Sequence, residues 1–135
     1  MLFEQIDKKN ILKAVKKSVS KAKKEILATM LLREELKNPL PFSYFNLLRK
    51  KVNEGVMLKR LGFGSKEDYN RVKAKHNFKS NSYKLRYIVQ KNKYQRLIIV
   101  DRKKLFFGID GLYFTCKHKP LISVFVDYFD RNFKK

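Results

Sequence analysis

The sequence predicts an α/β fold in which one mixed β-sheet carries helices on both faces. Segments with helical spacing of apolar residues alternate with short apolar runs typical of strands, and Pro, Gly or polar stretches separate them. The predicted order is helix–strand–helix–strand–helix, then a meander of strands, then a last helix. The 135 residues have the usual length of one domain, so we expect a single domain over residues 1–135.

The first predicted helix carries apolar residues at three- and four-residue steps, with Asn10 or a neighbour as its N-cap. The members of this stripe are Leu12, Val15, Val19, Ala22 and Ile26. Lysines occupy the rest of the helix surface. The run EILATMLL that follows is apolar on consecutive positions, which predicts a buried strand, with a continuing helix as the alternative.

Pro39 and Pro41 interrupt the chain before a second helix, in which Ser43 is the expected N-cap and Gly55 the stop signal. The run VMLKRLGFG predicts the next strand. Ser65 then caps a short polar helix, KEDYNRVKAK, with Asp68 in a near capping-box position. This capped start explains the GFGS segment better than a phosphate cradle does.

The second half predicts three strands and a helix. YKLRYIVQ alternates as a strand, and QRLIIVD and KLFFGID form two more strands that turn at DRKK. The residues 97–100 are apolar without interruption, so we expect an internal strand there. Helical spacing of Ile122, Phe125, Phe129 and Phe133 predicts a closing helix, although β-branched residues leave a strand as the alternative.

Charge is the strongest global feature of the chain. Lys and Arg number 33 against 12 acidic residues, a net charge of +21, which favours a polyanionic partner. Nucleic acid is the first candidate and an anionic membrane surface the second, whereas a lysine-biased genome with a solvated surface is the alternative explanation. The candidate nucleic-acid-binding residues are Lys13, Lys17, Lys24, Lys73 and Lys75.

Aromatic residues among these lysines suggest base stacking, with core packing as the alternative. They are Tyr69, Phe78, Tyr83 and Tyr87. Cys116 is the only cysteine, and no Cys/His cluster has zinc spacing, so the sequence predicts no metal site and no cofactor. Without a signal peptide pattern or a bilayer-length apolar run, a cytoplasmic protein is expected.

The stretch YQRLIIVDRKKLFFGIDG, residues 94–111, resembles the motif region of the phospholipase D-like superfamily. Members carry His-x-Lys-x-x-x-x-Asp and, about six residues later, Gly-Ser-x-Asn. Here Tyr94 stands at the His position, Arg96 at the Lys position and Asp101 at the Asp position. Gly108 keeps the Gly of the second motif, whereas Ile109 and Gly111 replace its Ser and Asn.

This resemblance implies one half of the family's fold, with a degenerate active site. The family's nucleophile is the His, and a neutral tyrosine phenol is a poor substitute for it because its ordinary pKa is about 10. A phosphate site of Arg96, Tyr94, Asp101 and Gly108 is therefore expected without catalytic residues. Alternatively, Tyr94 is an ordinary strand aromatic and Asp101 simply opens the turn. His76 and His118 are expected in solvated basic loops.

Two functions follow from the resemblance. The first is a non-catalytic, regulatory domain that binds nucleic acid or another polyanion, similar to the effector domain of TrmB-type archaeal regulators. The second is a phosphodiesterase or nuclease that acts as a homodimer with a drifted active site. A homodimer is expected in both cases, because family halves pair across the edge that carries the motif.

Overall fold

A seven-stranded mixed sheet, in the order β1-β7-β6-β5-β2-β3-β4, lies at the centre of the part of the chain that the structure describes. The structure is a computed structural model, and it describes residues 2–76 and 78–134. The strands are β1 (Glu4–Ile6), β2 (Glu25–Leu31), β3 (Met57–Phe63), β4 (Tyr83–Ile88), β5 (Arg96–Val100), β6 (Lys104–Ile109) and β7 (Leu112–Cys116). The helices are α1 (Lys8–Ser20), α2 (Leu32–Lys37), α3 (Phe42–Asn53), α4 (Lys66–Lys75) and α5 (Lys119–Phe133).

The sheet divides into a parallel part and an antiparallel part. Strands β2, β3 and β4 run parallel, whereas β5 pairs antiparallel with both β2 and β6, and β7 pairs antiparallel with β6 and β1. Strand β5 is thus internal, and Leu97 and Ile99 are fully buried on it. The predicted internal strand and mixed sheet are confirmed, and the architecture is consistent with a phospholipase D-like half.

Helices cover both faces, as predicted. On one face, α1 and α3 pack over the sheet through a cluster that includes Val19, Leu48 and Ile26. Helices α2 and α4 continue the same layer through Leu32 and Val72. On the other face α5 packs alone, through a separate cluster of apolar side chains. Because α5 has 15 residues, and no other helix in the described ranges is long and apolar enough either, none meets the requirement for a membrane span.

The first helix is shorter than its apolar stripe predicts. It ends at Ser20, so that Ala22 lies in the following turn and Ile26 on β2. Strand β2 hydrogen-bonds to both β3 and β5, and this pairing outweighs continuation of the helix. The N-cap is Asp7 rather than Asn10.

Other boundaries and elements also differ from prediction. The second predicted helix starts at Phe42 with Pro41 as its N-cap, so Ser43 lies inside it and its hydroxyl accepts a hydrogen bond from Lys16. Ser65 does cap α4, where its hydroxyl accepts the Asp68 backbone N–H at 3.1 Å. Strands β1 and β7 and helix α2 were not predicted. Each is six residues or shorter and lacks the uninterrupted aliphatic run that marks β5.

Candidate phosphate pocket and basic surface

Three of the four predicted phosphate-site residues lie together at one end of β5. Tyr94 stands just before the strand, Arg96 is its first residue, and Gly108 of β6 pairs directly with Arg96. A Cβ on Gly108 would lie only 2.9 Å from Cδ of Arg96 and 3.4 Å from the Tyr113 ring. Because Gly108 has no side chain, the Arg96 side chain has space to lie across β6.

Asp101 lies at the opposite end of β5, about 16 Å away at the usual rise of a strand. Its carboxylate accepts the backbone N–H groups of Lys23, Lys24 and Glu25 at 2.8–2.9 Å. Burial raises the pKa of Asp101, but these hydrogen bonds hold it below its ordinary value. Asp101 is therefore no part of the pocket near Arg96. It ties the β5–β6 turn to the start of β2, and this geometry fits the alternative that it opens the turn.

Arg96 already has an anionic partner. Its Nη2 donates to Oε1 of Glu34 on α2 at 2.6 Å, and the two side chains are 41% and 43% exposed. Burial lowers the pKa of Arg96, but the hydrogen bond to Glu34 and the neighbouring Tyr94 raise it above its ordinary value. A phosphate group that approaches this guanidinium must compete with the Glu34 carboxylate. This contact was not predictable from the sequence pattern, because α2 itself was not predicted.

Tyr94 is held as a neutral phenol. Burial, only partly offset by Arg96, raises the pKa of Tyr94 to about 12. Its ring packs edge-on against Phe63 with centroids 5.4 Å apart. The hydroxyl can donate a hydrogen bond to an anion, but a phenol with this pKa forms almost no phenolate nucleophile at neutral pH.

An apolar cavity of about 170 Å³ opens beside these residues, between the sheet and helices α1, α2 and α3. Arg96, Glu34 and Tyr94 lie among its lining residues. Arg60 and Glu35 line it as well, and their side chains form a buried ion pair at 2.8 Å, with 6% and 7% exposure. The cavity is therefore bordered by two ion pairs, one half-exposed and one buried.

The five predicted nucleic-acid-binding lysines are all exposed, but they do not form one cluster. Lys13 and Lys17 lie on α1, which packs against α3, and Lys24 lies in the turn that follows α1. Lys73 and Lys75 lie on α4, which packs against α2. The five lysines are therefore distributed over two pairs of helices in the same layer.

The aromatic side chains near these lysines are occupied by other contacts. Tyr69 and Tyr87 stack on one another with centroids 4.5 Å apart. Phe78 is 4% exposed and packs edge-on with Tyr83 at 4.8 Å. Base stacking on these side chains is not supported, and the core-packing alternative describes them better.

The two histidines differ in their surroundings. His118 is exposed, as expected, and precedes α5. The prediction for His76 is wrong, because it is 9% exposed and stacks on Phe45 with centroids 4.0 Å apart. Burial, followed by the charge of Arg60, lowers the pKa of His76, which favours the neutral imidazole.

The sequence matches no family model and no curated protein. The fold is similar to that of TrmBL2, an archaeal chromatin protein whose structure shows a novel mode of DNA binding. The TM-score is 0.74 at 18% identity, over 99% of this chain and 53% of TrmBL2, so the chain spans about half the length of that protein. NucT from Helicobacter pylori has a similar fold, with a TM-score of 0.70 at 10% identity over 98% of this chain and 94% of NucT. At these identities the similarity shows the fold alone.

Proposed function

We propose that residues 1–135 form a non-catalytic, phospholipase D-like domain that binds nucleic acid through its basic surface and serves a regulatory role in the cytoplasm. The observation that carries this proposal is an imbalance in charge pairing. Ion pairs with acids engage Arg33, Lys51, Arg60, Arg71, Arg96 and Arg102, among others. The 12 acidic residues are too few to pair with the 33 basic ones. Most of the 33 basic residues therefore remain available to a polyanion.

Binding of this kind works by counterion release. Lysine ammonium groups replace the cations condensed on a phosphate backbone. The candidates from the sequence are Lys13, Lys17, Lys24, Lys73 and Lys75, all of which are exposed. Contacts of this type position a protein on its nucleic acid without reading base sequence. The DNA binding named for TrmBL2, a protein of similar fold, supports the same class of partner.

The pocket supports binding better than catalysis. Tyr94 is a neutral phenol, Arg96 is paired with Glu34, and Ile109 offers no side-chain hydrogen bond where the related motif has a serine. The convergence of Tyr94, Arg96 and Gly108 does favour a second candidate, a phosphodiesterase or nuclease that acts as a homodimer. An assay with a chromogenic phosphodiester and labelled DNA, with and without divalent metal, separates the two. Turnover that is lost in Tyr94→Phe would establish the enzyme.

We also propose a homodimer that forms at the pocket end of the sheet. The aromatic residues of the closing helix would favour a dimer if they were exposed, but Phe129 is fully buried and Phe125 stacks on Phe107. Exposed apolar side chains instead lie near the pocket mouth, on the α2–α3 connection and the β6–β7 turn. They are Leu40, Phe42, Ile109 and Leu112. Light scattering at moderate salt should give about twice the chain mass of 16.2 kDa, and a single species at 16.2 kDa would refute the dimer.

Fluorescence anisotropy at several salt concentrations tests the proposed function. Labelled duplex DNA should bind in the micromolar range or tighter at low salt, and log affinity should fall linearly with log salt at a slope of roughly −4 or steeper. Reversing Lys13, Lys17 and Lys24 to Glu should flatten that slope equally for a scrambled duplex. Absence of binding at the lowest salt would overturn the nucleic-acid function.

A further inference from the structure

Three basic loops meet at the edge of the sheet opposite the pocket. They are residues 21–24 before β2, residues 101–104 from the end of β5 to the first residue of β6, and residues 117–119 from the end of β7 to the first residue of α5. These strands are neighbours in the order β7-β6-β5-β2, so the loops follow one another along a single edge. We call this the basic edge. Its cations are Lys21, Lys23, Lys24, Arg102, Lys103, Lys104, Lys117 and Lys119.

Two acids at the basic edge, Asp101 and Glu25, are already engaged, while Glu4 lies beside Lys104. The carboxylate of Asp101 accepts three backbone N–H groups, and Glu25 accepts a hydrogen bond from Nε of Arg102 at 2.6 Å. Lys23, Lys103 and Lys117, by contrast, form no ion pair with any residue that the structure describes. The edge therefore presents cations that have no acidic partner of their own.

Like charges are also crowded at this edge. Burial, and next the charge of Lys117, lower the pKa of Lys104, and the carboxylate of Glu4 offsets them only in part. An anion bound between these lysines would relieve the repulsion. The β5–β6 turn is held in place because the Asp101 carboxylate accepts backbone N–H groups at the start of β2. Asp101 and Arg102 adopt the left-handed conformation in this turn, with φ of 53° and 56°.

The dimensions of the basic edge fit a phosphodiester backbone. Four neighbouring strands at about 4.8 Å spacing give a row about 14 Å long. One strand of duplex DNA carries a phosphate about every 3.4 Å of helix axis, and successive phosphates lie further apart than this along the winding backbone, so the row spans a few of them. The three loops contain no Phe, Tyr or Trp on which a base could stack.

We propose that the basic edge, rather than the α1 surface, the α4 surface or the Arg96 pocket, is the principal contact surface for the phosphate backbone of duplex nucleic acid. This inference rests on the proposed function and gives it a location. The edge holds the backbone without reading bases, because its side chains are ammonium and guanidinium groups that recognise phosphate. Arg102 is held by Glu25, whereas Lys23, Lys103 and Lys117 are exposed and form no ion pair with a described residue.

Two charge-reversal variants of equal size test this location by anisotropy titration with labelled duplex DNA at several salt concentrations. The edge variant is Lys23→Glu, Lys103→Glu and Lys117→Glu. The matched control is Lys37→Glu, Lys66→Glu and Lys91→Glu, three exposed lysines on elements that start or end at the pocket end of the sheet. The edge variant should bind at least about tenfold more weakly at low salt and lose about 3 from the magnitude of the salt slope, since each contact contributes about 0.9.

The control variant should lose much less in affinity and keep its salt slope. Equal losses in the two variants, while the wild type binds, would overturn the basic edge and leave nucleic-acid binding intact. Absence of binding by the wild type would overturn both proposals, and binding only to vesicles of anionic lipid would do the same. Circular dichroism melts confirm that each variant folds. If the edge variant does not fold, a variant with Lys→Gln at the same three positions replaces it, because Gln removes each charge without reversing it. This variant should also lower the magnitude of the salt slope, and an unchanged salt slope would refute the basic edge as the contact surface.

Discussion

The two ends of strand β5 carry similar charged residues but arrange them in opposite ways. At the pocket end, Arg96 is paired with Glu34, and the nearby Arg60 is paired with Glu35. At the basic edge, the Asp101 carboxylate accepts hydrogen bonds from three backbone N–H groups. Lys23, Lys103 and Lys117 form no ion pair in the part of the chain that the structure describes. The motif spacing alone placed both ends in one site.

This contrast shows that the availability of a cation depends on what its neighbouring acids do. Arg96 stands at a motif position and is therefore a candidate phosphate ligand from the sequence. Its guanidinium is already paired with the carboxylate of Glu34, which lies on α2, a helix that was not predicted. The lysines of three ordinary turns are more available, because the acids beside them have structural roles. The following predictions test this contrast, from the largest expected effect to the smallest.

The largest effect should come from the buried pair at the pocket end. Glu35→Gln leaves the Arg60 guanidinium buried without a counter-charge, which should lower the free energy of unfolding by about 3–5 kcal/mol. The matched control is Glu34→Gln one position earlier, where the half-exposed pair with Arg96 should contribute less than about 1 kcal/mol. Urea unfolding measures both. Equal losses in the two variants would show that burial does not separate these pairs.

At the basic edge, Asp101→Asn should destabilise the protein by about 1–2 kcal/mol at neutral pH, because an amide oxygen replaces a charged acceptor of three hydrogen bonds. The folded pKa of Asp101 is lowered, so its contribution is present above the unfolded value of about 3.9 and is lost as the pH falls through the folded pKa. The difference between wild type and variant should therefore shrink below about pH 4.

Asp110 provides the control for this prediction. It also has a positive φ of 52°, in the β6–β7 turn, but its carboxylate forms no hydrogen bond with the described residues. Chemical unfolding between pH 2.5 and 7 should show almost no difference between wild type and Asp110→Asn. A pH-independent loss in Asp101→Asn would mean that the carboxylate charge does not anchor the turn.

The smallest effect concerns the phosphate pocket. Glu34→Gln removes the competing carboxylate, so inorganic phosphate should bind at Arg96 a few-fold more tightly, which corresponds to less than about 1 kcal/mol. In the wild-type background, Arg96→Ala should weaken DNA binding no more than a single surface lysine does. Calorimetric titration with phosphate and anisotropy with DNA provide the measurements. A larger loss in Arg96→Ala than in Lys103→Ala would move the principal contact surface to the pocket.

Segments with a strong local signal, a helix cap or an uninterrupted apolar run, were predictable from the sequence. The α4 helix is capped by Ser65 as predicted, and the uninterrupted apolar residues of β5 do form an internal strand. The end of α1 was not predictable, because Ile26 continues the helical spacing while its backbone pairs in the sheet. That choice depends on partners distant in sequence.

The candidate site was predictable only where neighbours along the chain determine it. Tyr94, Arg96 and Gly108 do converge, because an antiparallel hairpin brings the start of β5 to the end of β6. The role of Asp101 and the pairing of Arg96 depend on residues 76 and 62 positions away, Glu25 and Glu34. Such contacts cannot be predicted from a local sequence pattern. The basic edge likewise can be recognised only when the order of the strands is known.

A two-dimensional NMR titration of the wild-type protein with short duplex DNA tests the central claim most directly. At low salt the amide signals of residues 21–25, 101–104 and 117–119 should shift first and furthest, and the shifts should be the same for an unrelated duplex sequence. The signals of Tyr94, Arg96 and Gly108 should change little. Shifts centred on those three residues, or on α4, would contradict the assignment of nucleic-acid binding to the basic edge.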